Sequence, residues 1–244
     1  MRCRSFDEQI NKGDKVARES LLNAQNFYGN YAGDLLVEES LYPPKVVEFL
    51  QREKDCLRSL TDTFQSLIEV GSMDGLHLEW AAKRRKRYVG IDIVERYIEA
   101  GNALVAARNL PASMFSFYLG DATRLDKHIL EFEIIGNALL FFPFNSFGNM
   151  GDERAVASAV LNTRMPCFIS TYRTDRMATQ IRLDYYDSVG YSVNEVKETE
   201  KGVAVCLDGQ YYTIAYSIPY VRYMFGNLGI VEFSDLGMGF LCNF

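Results

Sequence analysis

From Phe64 onward the chain alternates short apolar runs with glycine-bearing turns and helical stretches, and this rhythm limits the fold more than any other feature. Residues 66–70 (SLIEV), 88–93 (YVGIDI), 114–119, 137–142 (NALLFF) and 167–172 (CFISTY) have the length and composition of strands. Residues 76–83, 95–109 and 152–161 lie between them with helical spacing of apolar positions. Strands alternating with helices in this way predict an α/β fold, a parallel sheet with helices on both faces.

The flanks read differently. Residues 1–62 form a helical N-terminal cap: in 45–60 (KVVEFLQREKDCLRSL) Val46, Val47, Phe49, Leu50, Leu57 and Leu60 recur at helical spacing after Pro43-Pro44. Residues 63–244 form the core, with 191–229 inserted as a small antiparallel β segment. Its runs, 192–199, 203–207 and 211–217, are joined by Glu200-Lys201-Gly202 and by Asp208-Gly209, a hairpin signal. Residues 230–244 read as a last hairpin returning to the main sheet.

Composition narrows the classes. A chain of 244 residues, 48% of them hydrophobic, buries a full core without staples. Its five cysteines, Cys3, Cys56, Cys167, Cys206 and Cys242, are too widely spaced for metal knuckles and odd in number, which points to a reducing compartment. The N-terminus lacks the apolar stretch of a signal peptide. The longest apolar run, 134–144, is broken by Gly136, Asn137 and Pro143. A cytoplasmic protein without a membrane span is expected. A net charge of −6 argues against non-specific binding to nucleic acid. The basic run at 83–87 (KRRKR) reads as the solvated end of a helix, where cations are favoured.

In an open α/β sheet the ligand sits outside the C-terminal ends of the strands. Each of the first four strands is followed by a polar or glycine-bearing turn: Glu69-Val70-Gly71-Ser72-Met73-Asp74-Gly75, Asp92-Ile93, Gly120-Asp121-Ala122, and Pro143-Phe144-Asn145-Ser146-Phe147-Gly148-Asn149. In this order, and over roughly residues 64–174 and again at the C-terminal hairpin, the chain resembles the class I S-adenosylmethionine-dependent methyltransferases, whose sheet is Rossmann-like. The resemblance implies roles. An acidic-x-Gly-x-Gly-x-Gly turn, matched by Glu69, Gly71 and Gly75 but with Met73 in place of the middle glycine, approaches the cofactor's methionine half, with Ser72 beside it. Asp92, with Ile93 beside it, accepts the ribose hydroxyls, and Asp121 with the Ala122 N–H reads the adenine edge. Each has a plainer reading: the glycines turn the chain, Asp92 caps the segment from Val94, and Asp121 caps 123–130. A nicotinamide dinucleotide needs a G-x-G-x-x-G turn, which GSMDG does not provide.

The run after the fourth strand lacks the Asn/Asp-Pro-Pro-aromatic tetrapeptide of nucleobase and glutamine amino-methyltransferases. It is similar to the Asn-Ser-Phe loop of the glycine and sarcosine N-methyltransferase-like group, which implies that Phe144, Asn145 and Ser146 lie beside the cofactor and the substrate. Tyr28 and Tyr31 resemble a tyrosine segment that folds over bound cofactor, or else pack as an aromatic loop. Arg173, near Tyr172 and Tyr185, suits an anionic substrate group or a surface salt bridge. Cys167 reads as a buried small hydrophobe, and His77 and His128 fall within helices. No metal-binding set stands out. The expected function is methyl transfer to an N, O or C nucleophile of a small metabolite, driven by alignment, with Tyr172 or Asn145 assisting a departing proton. The alternatives are an RNA or protein methyltransferase using residues 83–87, and a non-catalytic binding protein. The tyrosine-rich insertion either roofs the substrate site or forms a homodimer surface.

Overall fold

The structure is a computed structural model that describes residues 25–132, 136–208 and 211–243. Cys3 and its neighbours, Ile134, Ile135 and Gly209 lie outside the described residues. Strands β1 (Ser66–Val70), β2 (Arg87–Asp92), β3 (Phe115–Leu119), β4 (Ala138–Phe142) and β5 (Cys167–Tyr172) run parallel. Strands β6 (Val193–Thr199), β7 (Gly202–Leu207) and β8 (Tyr211–Tyr216) form a separate antiparallel sheet. Strands β9 (Gly229–Glu232) and β10 (Gly237–Cys242) return to the main sheet, which has the order β3-β2-β1-β4-β5-β10-β9 with the last two strands antiparallel. The chain therefore carries a Rossmann-like sheet with a small antiparallel appendage.

Helices cover both faces of this sheet. On one face α1 (Pro44–Ser59), α2 (Leu78–Lys83) and α3 (Glu95–Ala107) set Leu57, Leu78 and Ile98 against Leu67, Tyr88 and Phe141. On the other, α4 (Leu125–Glu131) and α5 (Glu153–Thr163) set Ile129, Val156 and Val160 against Ile68, Leu140 and Ile169. Covered on both sides, β1, β4 and β5 are buried at every position; β4 reads as an unbroken apolar run, while β1 and β5 carry buried polar residues within theirs. In α1 the buried set is Val46, Phe49, Leu50, Glu53 and Leu57, one stripe at helical spacing; Val47, read with it from the sequence, faces solvent.

Two helices occupy segments where the sequence pattern predicts none: α6 (Arg176–Ser188), capped by Asp175, and α7 (Ile218–Phe225), capped by Ser217. With α1 and the insertion, α6 builds a third apolar cluster, including Phe49, Tyr172, Tyr185, Tyr186, Leu207 and Tyr211. This cluster forms a cap above the C-terminal ends of the strands.

The insertion is fastened to the main sheet by close backbone approach. A Cβ at Gly148, in the turn after β4, would run into the Ile214 carbonyl oxygen of β8. Thr213 of β8 also donates to Asn149 at 2.6 Å. Gly148→Ala is thus expected to destabilise the fold by about 3 kcal/mol, read as a lowered midpoint in urea unfolding; an unchanged midpoint would mean that this contact is slack.

Candidate active site

The tips of β1, β2, β3 and β4 and the cap enclose a cavity of about 1130 Å³, its open mouth included. One half is polar and glycine-lined. At Gly71 (φ +74°) the chain turns so closely past the next loop that a Cβ would sit 2.8 Å from the Ser146 Cβ. Met73 follows with φ +49°, so the residue that departs from the glycine pattern keeps the left-handed backbone a glycine would adopt. Its N–H donates to Asp92 Oδ2 at 2.9 Å, and Val94 N–H donates to Asp92 Oδ1 at 2.9 Å.

Each Asp92 oxygen thus accepts one backbone N–H and keeps a lone pair for a ligand. Burial pushes the Asp92 carboxyl up to about 6, although the backbone donors pull the other way. One strand further, Asp121 uses Oδ1 to accept the Thr123 N–H at 2.9 Å while lining the same cavity. The capping reading and the pocket position hold together. Ile93, Gly120 and Ala122 complete this half.

The loop after β4 carries two consecutive left-handed residues, Phe144 (φ +42°) and Asn145 (φ +60°). Such strain persists only where the surroundings over-determine the backbone. Here Asn145 is clamped: its Oδ1 accepts from Thr171 at 2.6 Å, its Nδ2 donates to Thr213 at 3.2 Å, and its N–H donates to the Ser170 carbonyl at 3.0 Å. Ser146 Oγ donates to the Val70 carbonyl at 2.9 Å, and Phe144 N–H donates to Glu53 Oε2 at 2.7 Å.

Glu53 brings α1 into a buried charge network. His77 Nδ1 lies 2.6 Å from Glu69 Oε1, and its Nε2 lies 3.4 Å from Glu53 Oε1 without hydrogen-bond alignment. Tyr88 donates its phenol proton to Glu69. Burial works against a charged imidazole, but Glu69 and Glu53 together outweigh it and lift His77 to about 9. These side chains are fully buried and outside the cavity wall.

The other half of the cavity is aromatic: Tyr28, Phe144, Tyr172, Tyr185, Tyr186 and Tyr211 line it. Tyr185 donates to the Leu36 carbonyl at 2.6 Å. Burial pushes the phenols of Tyr28, Tyr172, Tyr185 and Tyr211 up, so at neutral pH they are donors and not bases.

No family model matches the chain, and no curated protein matches it in sequence. Solved structures do. A protein of Pyrococcus horikoshii superposes with a TM-score of 0.60 at 13% identity, covering 82% of this chain and 92% of that one. An S-adenosylmethionine-dependent methyltransferase from Clostridium acetobutylicum gives 0.56 at 11% identity, covering 89% and 99%. The 1,6-didemethyltoxoflavin-N1-methyltransferase of Burkholderia thailandensis, solved with its substrate and S-adenosylhomocysteine, gives 0.56 at 11%, covering 100% and 93%. The chain has the class I methyltransferase fold. None of these three is described as a glycine or sarcosine N-methyltransferase.

Of the residues expected at a methyltransferase site, Gly71, Asp92, Ile93, Asp121, Ala122, Phe144, Asn145, Ser146, Tyr28, Tyr172 and Tyr185 are brought to the cavity. Five fall elsewhere, each for a visible reason. Glu69 is consumed by His77 and Tyr88 beneath the turn. Ser72 is fully buried, and the absence of a side chain at Gly90 makes room for its Oγ. Gly75 (φ +109°) packs on Phe117 and stands behind the turn. Tyr31 is 68% exposed and stacks on Arg96, whose guanidinium sits 4.4 Å from the ring. Arg173 is held outside the cavity by Asp175 at 2.8 Å and Glu232 at 2.9 Å. Asn145 has both side-chain polar atoms engaged, so it fixes the loop. The basic run is partly absorbed by its own surroundings: Arg84 stacks on Trp80, and Lys86 donates to the Thr61 and Phe64 carbonyls. Met73 and Asn149, in the expected turns, and Tyr186 and Tyr211 also line the cavity, as does Thr213, which the sequence pattern did not single out.

Among the described residues no helix is long and apolar enough to cross a membrane, and no cluster of His, Cys, Asp and Glu has the arrangement of a metal site. Cys56, Cys167, Cys206 and Cys242 are free thiols, Cys167 buried in β5 as a small apolar residue would be.

Proposed function

We propose that the protein is an S-adenosylmethionine-dependent methyltransferase acting on a small molecule. The observation that carries the reading is the convergence of Asp92 and Asp121, from adjacent strands, on one cavity beside the tight Gly71–Met73 turn. That donor and acceptor set fits a nucleoside: Asp92 retains acceptor capacity for two sugar hydroxyls, and Asp121 with the Ala122 N–H offers an acceptor and a donor to a purine edge. The close approach at Gly71 leaves backbone where a side chain would block the cofactor's chain. When bound, S-adenosylmethionine supplies a methyl group already activated on a sulfonium. This chain's task is then alignment. Phe144, Asn145 and Ser146, locked by Thr171, Thr213, Val70 and Glu53, form a rigid wall between the two halves, and the tyrosines hold the acceptor and exclude water.

Tyr172, like Asn145, is a candidate to assist a departing proton. Its raised pKa makes it a hydrogen-bond donor, so proximity carries the transfer, and α1 with residues 25–42 serves as the lid. Among the described residues the cavity is enclosed on its aromatic side by α6 and β8, which favours a metabolite over a polymer.

Calorimetric titration with S-adenosylhomocysteine at pH 7.5 tests the reading; binding is expected, and its absence at millimolar ligand would retract it. The titration should also depend on pH. A protonated Asp92 loses acceptor capacity, so affinity holds above about pH 6 and falls below it, by about tenfold by pH 5. Asp92→Asn should flatten this dependence, and an unaltered profile would assign the titration to another group.

A further inference from the structure

The aromatic half of the cavity is backed by a cation without an anionic partner. Arg182, on α6, is 1% exposed. Its hydrogen bonds go to neutral oxygens: Nε to the Tyr186 hydroxyl at 2.8 Å, Nη1 to the Val203 carbonyl at 3.1 Å, and Nη2 to the Thr213 carbonyl at 2.8 Å and hydroxyl at 3.2 Å. Among the described residues it forms no salt bridge. An arginine remains charged when buried, and burying an unpaired charge costs several kcal/mol as an order of magnitude. Such a cost marks a group whose charge has a use beyond packing.

The guanidinium stands behind the cavity wall without lining it. The guanidinium lies 5.0 Å from the ring centre of Tyr172 and 5.5 Å from that of Tyr186, and both rings line the cavity. Tyr186 accepts from Arg182 through its oxygen and keeps its own proton to donate. Tyr172 and Tyr211 likewise carry phenol protons. The two aspartates of the cavity, Asp92 and Asp121, belong to its other half, so the aromatic half presents donors, a positive field and flat walls with no carboxylate. An ammonium ligand would meet repulsion and no acceptor of opposite charge. A planar ligand bearing an anionic oxygen would meet donors on several sides.

We infer that the acceptor half binds a planar, oxygen-anionic substrate, an aromatic carboxylate or a compound of the same charge and shape, with Arg182 as the source of the positive field and Tyr172 and Tyr186 as the groups that transmit it. This rests on the methyltransferase reading and narrows its substrate class.

The test uses the wild-type chain saturated with S-adenosylhomocysteine and three probes on one ring system: 2-naphthoate, 2-naphthalenemethanol and 2-naphthylmethylammonium. Naphthoate is expected to bind at least about tenfold more tightly than either of the others. Arg182→Lys should retain that preference, and Arg182→Gln, likewise saturated with S-adenosylhomocysteine, should reduce it to within about twofold. Equal binding of the three probes, preference for the ammonium, or no naphthoate binding at millimolar concentration would each overturn the inference. So would an Arg182→Gln chain that keeps the preference. The wild-type comparison stands if Arg182→Gln does not fold. Failure of S-adenosylhomocysteine itself to bind would instead strike the cofactor reading, so the two failures are separable.

Discussion

In titrations with S-adenosylhomocysteine, a chain carrying both Asp92→Ala and Asp121→Ala is expected to bind at least about 100-fold more weakly than wild type, near 3 kcal/mol. Asp92 is the larger contributor. Its carboxyl accepts Met73 N–H and Val94 N–H, each at 2.9 Å, so it sets the shape of the turn as well as offering lone pairs to the ligand. Removing it would lose direct hydrogen bonds to a charged acceptor, worth about 1.5–3 kcal/mol each, and loosen the left-handed Met73. Asp121→Ala alone should cost about tenfold, because only one of its oxygens is spent on the Thr123 cap and the remaining capacity faces the cavity. Asp92→Asn separates the effects: it keeps the volume of the side chain but turns one acceptor into a donor, so it should fall between wild type and Asp92→Ala. A double variant that still binds within threefold of wild type would remove the nucleoside site from this cavity.

Most of what positions that site is local, and this explains how much of it the sequence reveals. Strands β2, β1, β4 and β5 lie in the interior of the sheet and β3 at its edge; the interior strands read as largely apolar runs, and a residue just after a strand is placed at the rim by topology alone. Asp92 and Asp121 are found in this way. Glu69, inside β1, and Arg173, just after β5, lie outside the cavity because other side chains hold them. Glu69 meets Tyr88 on the neighbouring strand, and Arg173 meets Glu232 on β9, 59 residues away. Met73 misleads by identity while its backbone angle does what a glycine would do.

The helix α6 is hidden for a different reason. Its buried face is Ala178, Arg182, Tyr185 and Tyr186, at helical spacing but made of residues that hydrophobic periodicity does not weigh. The Asp175 cap, accepting from Met177 and Ala178 at 3.1 Å each, was the available signal. α6 supplies Tyr185 and Tyr186 to the aromatic side of the cavity, and Tyr185 is legible in the sequence even without the helix. The arginine expected at the substrate, Arg173, is held outside the cavity by Asp175 and Glu232.

The buried His77 should make the stability of the chain depend on alkaline pH. Its folded pKa, about 9, lies above the ordinary imidazole value of about 6.5. A group raised in this way contributes stability fully below pH 6.5, and the contribution is lost as pH rises through 9. The whole window is worth about 3 kcal/mol as an order of magnitude. Urea unfolding from pH 6.5 to 9.5 should therefore show a falling midpoint. His77→Gln should lower stability at pH 7 by about 3–5 kcal/mol, because Glu53 and Glu69 then lie buried without their cation. The same variant should lose most of the pH slope, which separates His77 from tyrosines and lysines that titrate at higher pH. Since Glu53 also accepts the Phe144 N–H, the strained Phe144–Asn145 backbone should relax with it. The affinity for S-adenosylhomocysteine should then fall although His77 touches no part of the cavity. A His77→Gln chain with wild-type stability and the same pH slope would show that α1 is held to the sheet by apolar packing alone.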